Sequence, residues 1–222
     1  MHIATGFLSP AVAAGCGVVA AGAVAAAVAR ARRTLDERLV PVVGVMGAFV
    51  FAAQMVNFPI WVGTSGHLAG GFLLGVLCGW APAVLTMTAI LAMQALVFAD
   101  GGLDALGANI LNMGILSSLL GGAVRLIWAR YGLRWALPLS VAGAWFCVVL
   151  GAALVVGQFW LSGRLNSSEL LWGMAASMIG VHTLIGVVEG LITAAVLSFV
   201  ARTEVAARLP HAAGSHPVEA TL

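Results

Sequence analysis

From Phe7 to Ala29 the chain runs through Ala, Gly and Val with no charged residue. At about 1.5 Å per residue such a run crosses the roughly 30 Å hydrocarbon core of a bilayer as one helix. Positive charge follows the run, at Arg30, Arg32, Arg33 and Arg38, instead of preceding it. A secretory signal has the reverse order and a small-residue cleavage site. The expectation is therefore an uncleaved first helix with its N-terminus outside. Only 8% of the residues are charged and 62% are hydrophobic. About 25% charged residues is usual for a chain that covers its surface with water. The fold class expected is an all-α integral membrane protein.

Further apolar stretches divide the rest of the chain. Spans are expected at about 40–55, 68–80, 84–98, 103–128, 136–160 and 170–200, giving seven transmembrane helices with the first. The third is short for a bilayer. Pro59, Gly63 and Gly66 mark a loop over 57–66, and Asp100-Gly101-Gly102 marks a turn. With the N-terminus outside, Arg30–Arg38, Arg125–Arg134 and Arg202–Arg208 all fall inside and only Arg164 falls outside. That agrees with the positive-inside rule and places the C-terminus in the cytoplasm. Residues 1–201 form the membrane domain. Residues 202–222 form a polar tail, expected to be disordered, in which His211 and His216 have no assigned role. Cys16, Cys78 and Cys147 sit in apolar runs and match neither a zinc nor a disulfide spacing. Small residues four apart, at Gly17, Ala21, Ala25 and Ala29 and at Gly44, Ala48 and Ala52, allow close helix approach. Packing within the chain is the favoured reading of them, and a partner subunit is the alternative.

Chemistry concentrates at the amino terminus. In Met1-His2 the α-amine, the His2 amide nitrogen and the His2 imidazole can close on one ion as two fused chelate rings. A bulky residue at position 2 blocks removal of the initiator methionine, which keeps that amine in place. His67, in Thr64-Ser65-Gly66-His67, falls on the same side of the membrane and supplies a fourth nitrogen. Four nitrogens in a plane suit Ni²⁺ or Cu²⁺. Thr64 and Ser65 are candidates to orient the His67 ring. Asn57, Gln94, Asp100, Asn109 and Asn112 lie toward the same side, with Gln54, as a polar cup; helix-to-helix hydrogen bonding is the plainer reading of each. His182 and Glu189, seven apart, share one face of the last span. Ionisable residues at that depth are functional candidates, with a structural pair as the rival.

Several blocks together resemble the CbiM/NikM family, the substrate-binding (S) components of energy-coupling-factor transporters for cobalt and nickel. They are Met1-His2-Ile3 with Gly6-Phe7-Leu8-Ser9-Pro10, Gln54-Met55-Val56-Asn57, Gly63-Thr64-Ser65-Gly66-His67, Gln94 with Asp100-Gly101-Gly102, Asn109 with Asn112, and His182 with Glu189. The resemblance covers the chain to about residue 200. It implies metal ligation by the Met1 amine, the His2 amide and imidazole, and the His67 imidazole. It implies Ni²⁺ or Co²⁺ as transported substrate and no organic cofactor. The implied partners are a membrane T component, two ABC-type ATPases and a small accessory membrane subunit, in the cytoplasmic membrane. The family usually has an acidic pair between Ile3 and Gly6, where this chain has Ala4-Thr5. There is no lysine and no Gly-x-x-x-x-Gly-Lys loop, so ATP hydrolysis falls to the partners. Nickel stands ahead of cobalt on planar nitrogen ligation. The alternatives are a cobalt-specific component serving cobalamin synthesis, a haem electron-transfer protein with His67 and His182 as axial ligands, and an intramembrane hydrolase built on His182 and Glu189. The last lacks any nucleophile-elbow or zinc motif.

Overall fold

A computed structural model describes residues 1–203 of the chain. The chain is mainly helical: α1 (Pro10–Thr34), α2 (Val40–Gln54), α3 (Gly71–Cys78), α4 (Trp80–Val97), α5 (Leu106–Asn109), α6 (Leu116–Tyr131), α7 (Leu133–Leu161) and α8 (Ser168–Val200). A π-helical segment, Ile110–Ile115, joins α5 to α6, so Leu106–Tyr131 is one continuous rod. Five rods are long and apolar enough to cross a membrane: α1, α4, Leu106–Tyr131, α7 and α8. Together with the apolar faces they expose, they make this a multi-pass membrane protein.

Two expected spans differ from the sequence reading. α2 has 15 residues. α3 has eight, which is about 12 Å of helix, far short of a bilayer. α3 is instead the inner element, apolar all round, with every residue from Gly71 to Leu77 buried. It is enclosed by α4 and α6, with α2, α7 and α8 closing the remaining sides. Gly75 makes the close approach to α6 possible: a Cβ there would meet the Ser118 carbonyl at 2.5 Å and the Gly121 Cα at 3.0 Å. His67 does not open α3. It stands in a four-residue link, and Gly70 turns the chain into the helix at φ 73°, a conformation open to glycine.

The fold also departs from all-α. Phe58–Trp61 (β1) and Thr64–Gly66 (β2) pair as an antiparallel hairpin with a register shift between Pro59 and Trp61. Ile3 bridges to Thr64 on its other side, so the N-terminal segment extends the hairpin into the protein. Proline and glycine chemistry predicted only a loop here, because strands this short carry no alternation to read.

The small-residue rows do not pack inside the chain as favoured above. α1 buries Ala20, Ala27 and Ala31, and α2 buries Gly47, Val50 and Gln54. Gly17 meets Gly107, but Ala21, Ala25, Ala29, Gly44, Ala48 and Ala52 are exposed. The three cysteines are unpaired thiols. His211 and His216 lie outside the described residues.

Candidate metal centre

The first three residues are buried: Met1, His2 and Ile3 are 1%, 3% and 0% exposed. Backbone pairing holds them. Asn109 accepts from the Ile3 N–H at 2.9 Å and donates back to its carbonyl at 3.2 Å, serving as a strand partner made from one side chain. The Ile3 carbonyl also accepts from Gly102 N–H at 2.8 Å, and Ala4 N–H donates to the Gly63 carbonyl at 2.9 Å. Asp104 accepts from Gly6 N–H at 2.8 Å. Arg164 donates to the Phe7 carbonyl at 3.1 Å and the Gly6 carbonyl at 2.6 Å. None of these uses the side chains of Ala4 or Thr5. The segment is held without the acidic pair the family usually carries there.

This clamp sets the Met1 amine 2.9 Å from His67 Nε2, both buried. Two nitrogens at about 2.0–2.1 Å from one ion and at right angles stand about 2.8–3.0 Å apart. The pair therefore has the spacing of adjacent corners of a square. The His67 ring is held by its Nδ1, which donates to the Leu68 carbonyl at 2.7 Å and leaves the Nε2 lone pair toward the amine. Burial lowers the amine pKa from 8.0 to about 4, against the opposing pull of the Asp100 and Glu189 carboxylates. Burial, and then the neighbouring amine, holds His67 well below the ordinary histidine range. Both are thus neutral donors at physiological pH, as ligation requires.

His2 stacks on His67, ring centres 4.6 Å apart. Its Nδ1 lies 2.9 Å from Asp100 Oδ1. Burial lowers the His2 pKa while the Asp100 contact raises it. Burial likewise pushes Asp100 up, but its contacts with His2 and Asn57 outweigh this and bring it below its usual value. Asn57 donates to Asp100 Oδ2 at 2.6 Å, and the Asp100 N–H donates to the Gln94 carbonyl. The preceding Ala99 sits at φ 52°, a region few side chains adopt, and this bend aims the carboxylate at His2. A cavity of about 600 Å³ borders His2, between the hairpin at Pro59–Ser65 and the turn at Ala99–Gly101.

The remaining predicted residues divide. Gln94 donates to Gln54 Oε1 at 3.0 Å, and Gln54 donates to the Ala69 carbonyl at 2.5 Å, so both bear on the link that carries His67. Thr64 and Ser65 do not orient His67. The Thr64 hydroxyl lies 3.3 Å from both the Trp61 carbonyl and Met178 Sδ, and Ser65 Oγ has no partner among the described residues. Asn112 forms a reciprocal amide pair with Gln158, at 2.8 and 2.9 Å. The π-helical segment turns Asn109 and Asn112 to different neighbours. His182 and Glu189 do not pair. His182 Nδ1 donates to the Met178 carbonyl at 2.7 Å, whereas Glu189 accepts from Ala69 N–H at 2.6 Å and Gly70 N–H at 3.0 Å. Sequence reading missed Asp104, Arg164 and Gln158 as site residues. Asp104 had a signal, as a second acid beside the Asp100 turn; the other two are long-range partners with none.

Among known proteins, the model of the CbiM family, "Cobalt uptake substrate-specific transmembrane region", matches residues 2–207. A Haloquadratum walsbyi protein named for metal transport is 38% identical over 210 residues, covering 90% of each chain. An Archaeoglobus fulgidus protein named for fused nickel transport, NikMN, is 35% identical over 204 residues, which are 90% of this chain and 65% of that one. The cobalt transport protein CbiM of Sorangium cellulosum is 33% identical over 183 residues, 80% of each. A crystal structure of a truncated transition metal transporter superposes with a TM-score of 0.79 at 28% identity, covering 90% of this chain and 98% of that one. The chain belongs to the CbiM family of substrate-specific transmembrane proteins in cobalt and nickel transport.

Proposed function

We propose that this chain is the capture subunit of an ATP-driven importer, binding Ni²⁺ in preference to Co²⁺ at the extracytoplasmic face of the cytoplasmic membrane. The observation that carries the reading is the buried approach of the Met1 amine to His67 Nε2 at 2.9 Å. The ligands are that amine, the His2 amide nitrogen, the His2 imidazole and His67 Nε2. Amine and imidazole stand on either side of the amide, and His67 closes the square opposite it. Capture exchanges the His2 Nδ1 contact with Asp100 for a bond to the ion.

Charge balance supports the same set. A divalent ion with one deprotonated amide carries a net +1, which is costly in a buried site unless paired. The Asp100 carboxylate beside His2 supplies the opposite charge. A strong planar field favours Ni²⁺, which binds such sites more tightly than Co²⁺ but less tightly than Cu²⁺, so discrimination against copper rests on supply and loop closure. The exposed small-residue rows Ala21-Ala25-Ala29 and Gly44-Ala48-Ala52 offer close-packing faces for a membrane T component that links the chain to its two ABC-type ATPases and accessory subunit.

A haem between His67 and His182 fits poorly, because His67 Nε2 already faces the Met1 amine at 2.9 Å, too close to admit an iron with its porphyrin. The test is a one-residue extension before Met1. Moving the amine off the site should lower Ni²⁺ affinity by more than about 100-fold, the upper end of what supporting residues cost. Equal Ni²⁺ affinity by calorimetry for the extended and unextended proteins refutes the ligand set.

A further inference from the structure

One buried imidazole has no part in that ligand set. His182 on α8 is fully buried, and its Nδ1 lies 2.7 Å from the Met178 carbonyl. A carbonyl only accepts, so Nδ1 carries the proton and the neutral ring keeps its lone pair on Nε2. Nε2 has no hydrogen-bond partner among the described residues. His67 is built the same way, with Nδ1 on the Leu68 carbonyl at 2.7 Å. In both rings a backbone carbonyl fixes the tautomer that a metal ligand needs.

The register of α8 gives the position. The Thr64 hydroxyl reaches Met178 Sδ at 3.3 Å, and Glu189 holds the Ala69 and Gly70 amides. Residues four and seven apart share a helix face. His182 lies about 6 Å along the axis from Met178 and about 10 Å from Glu189. It therefore faces the chain between Thr64 and Ala69, which is where His67 stands. Among the described residues no group of three His, Cys, Asp or Glu side chains converges as a metal site. His182 is therefore not gathered with His2 and His67 into one three-imidazole cluster. Farther along the same face, Glu189 and Thr193 border a small cavity of about 30 Å³ with Leu68 and Gly70. The Thr193 hydroxyl is buried and also lacks a partner among the described residues.

We propose that His182 Nε2 is a second ligand for the divalent cation, taking it over from His67 as the ion leaves the N-terminal site. This rests on the capture reading above. A planar four-coordinate ion exchanges ligands by adding a fifth before losing one. The bond from His182 Nε2 to the ion forms, and the bond from His67 Nε2 then breaks. Each imidazole keeps its Nδ1 proton, so no proton moves in this exchange, and the Met1 amine, the His2 amide and the His2 imidazole stay on the ion; the amide regains a proton from water when its own bond later breaks. The ion gains a step toward Glu189 and Thr193 without being released to water.

The test uses the full chain with its partners in cells for uptake, and the purified untagged chain for binding, with Ni²⁺ as the probe. His182→Asn keeps an N–H for the Met178 carbonyl and removes Nε2. It should leave Ni²⁺ affinity within about twofold and lower uptake by at least about tenfold, the scale of losing one supporting metal contact. His182→Gln places an amide oxygen near the Nε2 position and should recover part of the uptake. Normal uptake by His182→Asn overturns the proposal. So does a parallel loss of affinity and uptake in both variants, which would make His182 part of the capture site or its scaffold. Failure of the native protein to bind Ni²⁺ would refute the capture reading itself.

Discussion

Replacing Asn109 with Leu tests whether the N-terminus is held by the backbone pairing seen at Ile3. The two side chains have similar volume, so packing changes little. Two hydrogen bonds are lost, at 2.9 Å to the Ile3 N–H and 3.2 Å to its carbonyl. The carbonyl keeps Gly102 N–H at 2.8 Å. The N–H, on a residue with no exposed surface, is left without a partner. A buried unsatisfied donor costs about 1–3 kcal/mol. The cost falls on the docked terminus alone, because an undocked Ile3 N–H bonds to water. With the proposed ligand set, metal binding requires docking, so affinity should fall by about 5- to 150-fold, the equivalent of 1–3 kcal/mol. Asn109→Asp should fall between, since its carboxylate still accepts from the N–H but faces the carbonyl without a donor. Calorimetry with Ni²⁺ on untagged protein reads the affinity, and hydrogen exchange at the Ile3 and Ala4 amides reads docking. Unchanged affinity with faster exchange would show that docking does not limit binding; unchanged exchange would refute the clamp.

Three further outcomes are expected. Asp100→Asn removes the charge beside His2 while keeping the side chain's shape, and should weaken Ni²⁺ binding by about 10- to 100-fold; an affinity within error of native would remove Asp100 from the charge balance. The amine pKa is depressed on docking, from 8.0 to about 4, so docking is fully favoured above pH 8 and weakens as pH falls toward 4, by about 1.4 kcal/mol per unit. Exchange protection at Ile3 and Ala4, corrected for the intrinsic rate, should therefore drop from pH 8 to pH 5, and constant protection would contradict a buried neutral amine. A Cβ at Gly151 would lie 2.9 Å from Met1 Sδ and 3.0 Å from the Asn112 carbonyl, so Gly151→Val should expel the Met1 side chain and cost Ni²⁺ affinity, and a native isotherm from this variant would show the side chain to be dispensable.

How far the sequence carried the site depended on how each residue acts. Met1, His2 and His67 could be singled out together because nitrogen donors near a free amine are recognisable in any fold and the charge pattern put them on one side, and the structure does bring them into contact. Asp100 and Asn109 were legible as polar residues in apolar surroundings, but not their partners, since an amide that mimics a strand across 106 positions leaves no local trace. α3 was misjudged in length for a physical reason. An eight-residue helix apolar on every side looks like part of a membrane span, and only the fold shows that protein, not lipid, surrounds it.

Glu189 shows why the inner position of α3 matters to the site. Its two oxygens take the amides of Ala69 and Gly70, where the chain enters α3. From the other side, Gln54 on α2 donates to the Ala69 carbonyl, itself backed by Gln94 on α4. Three helices thus grip one peptide two residues beyond His67. The His67 ring is tied to its own neighbour Leu68, so any shift of that link moves Nε2 relative to the Met1 amine. Those two donors come from opposite grips, one fastened to α5 through Asn109 and the other to α2, α4 and α8. The two grips are also joined directly, by the Ile3–Thr64 bridge and by Ala4 N–H on the Gly63 carbonyl at 2.9 Å, so separating the two donors has to strain the pairing between the N-terminal segment and the hairpin. The spacing of the Met1 amine and His67 Nε2 is therefore set by both attachments at once, and a change at Asn109 or at the Gln54–Ala69–Glu189 contacts should alter it.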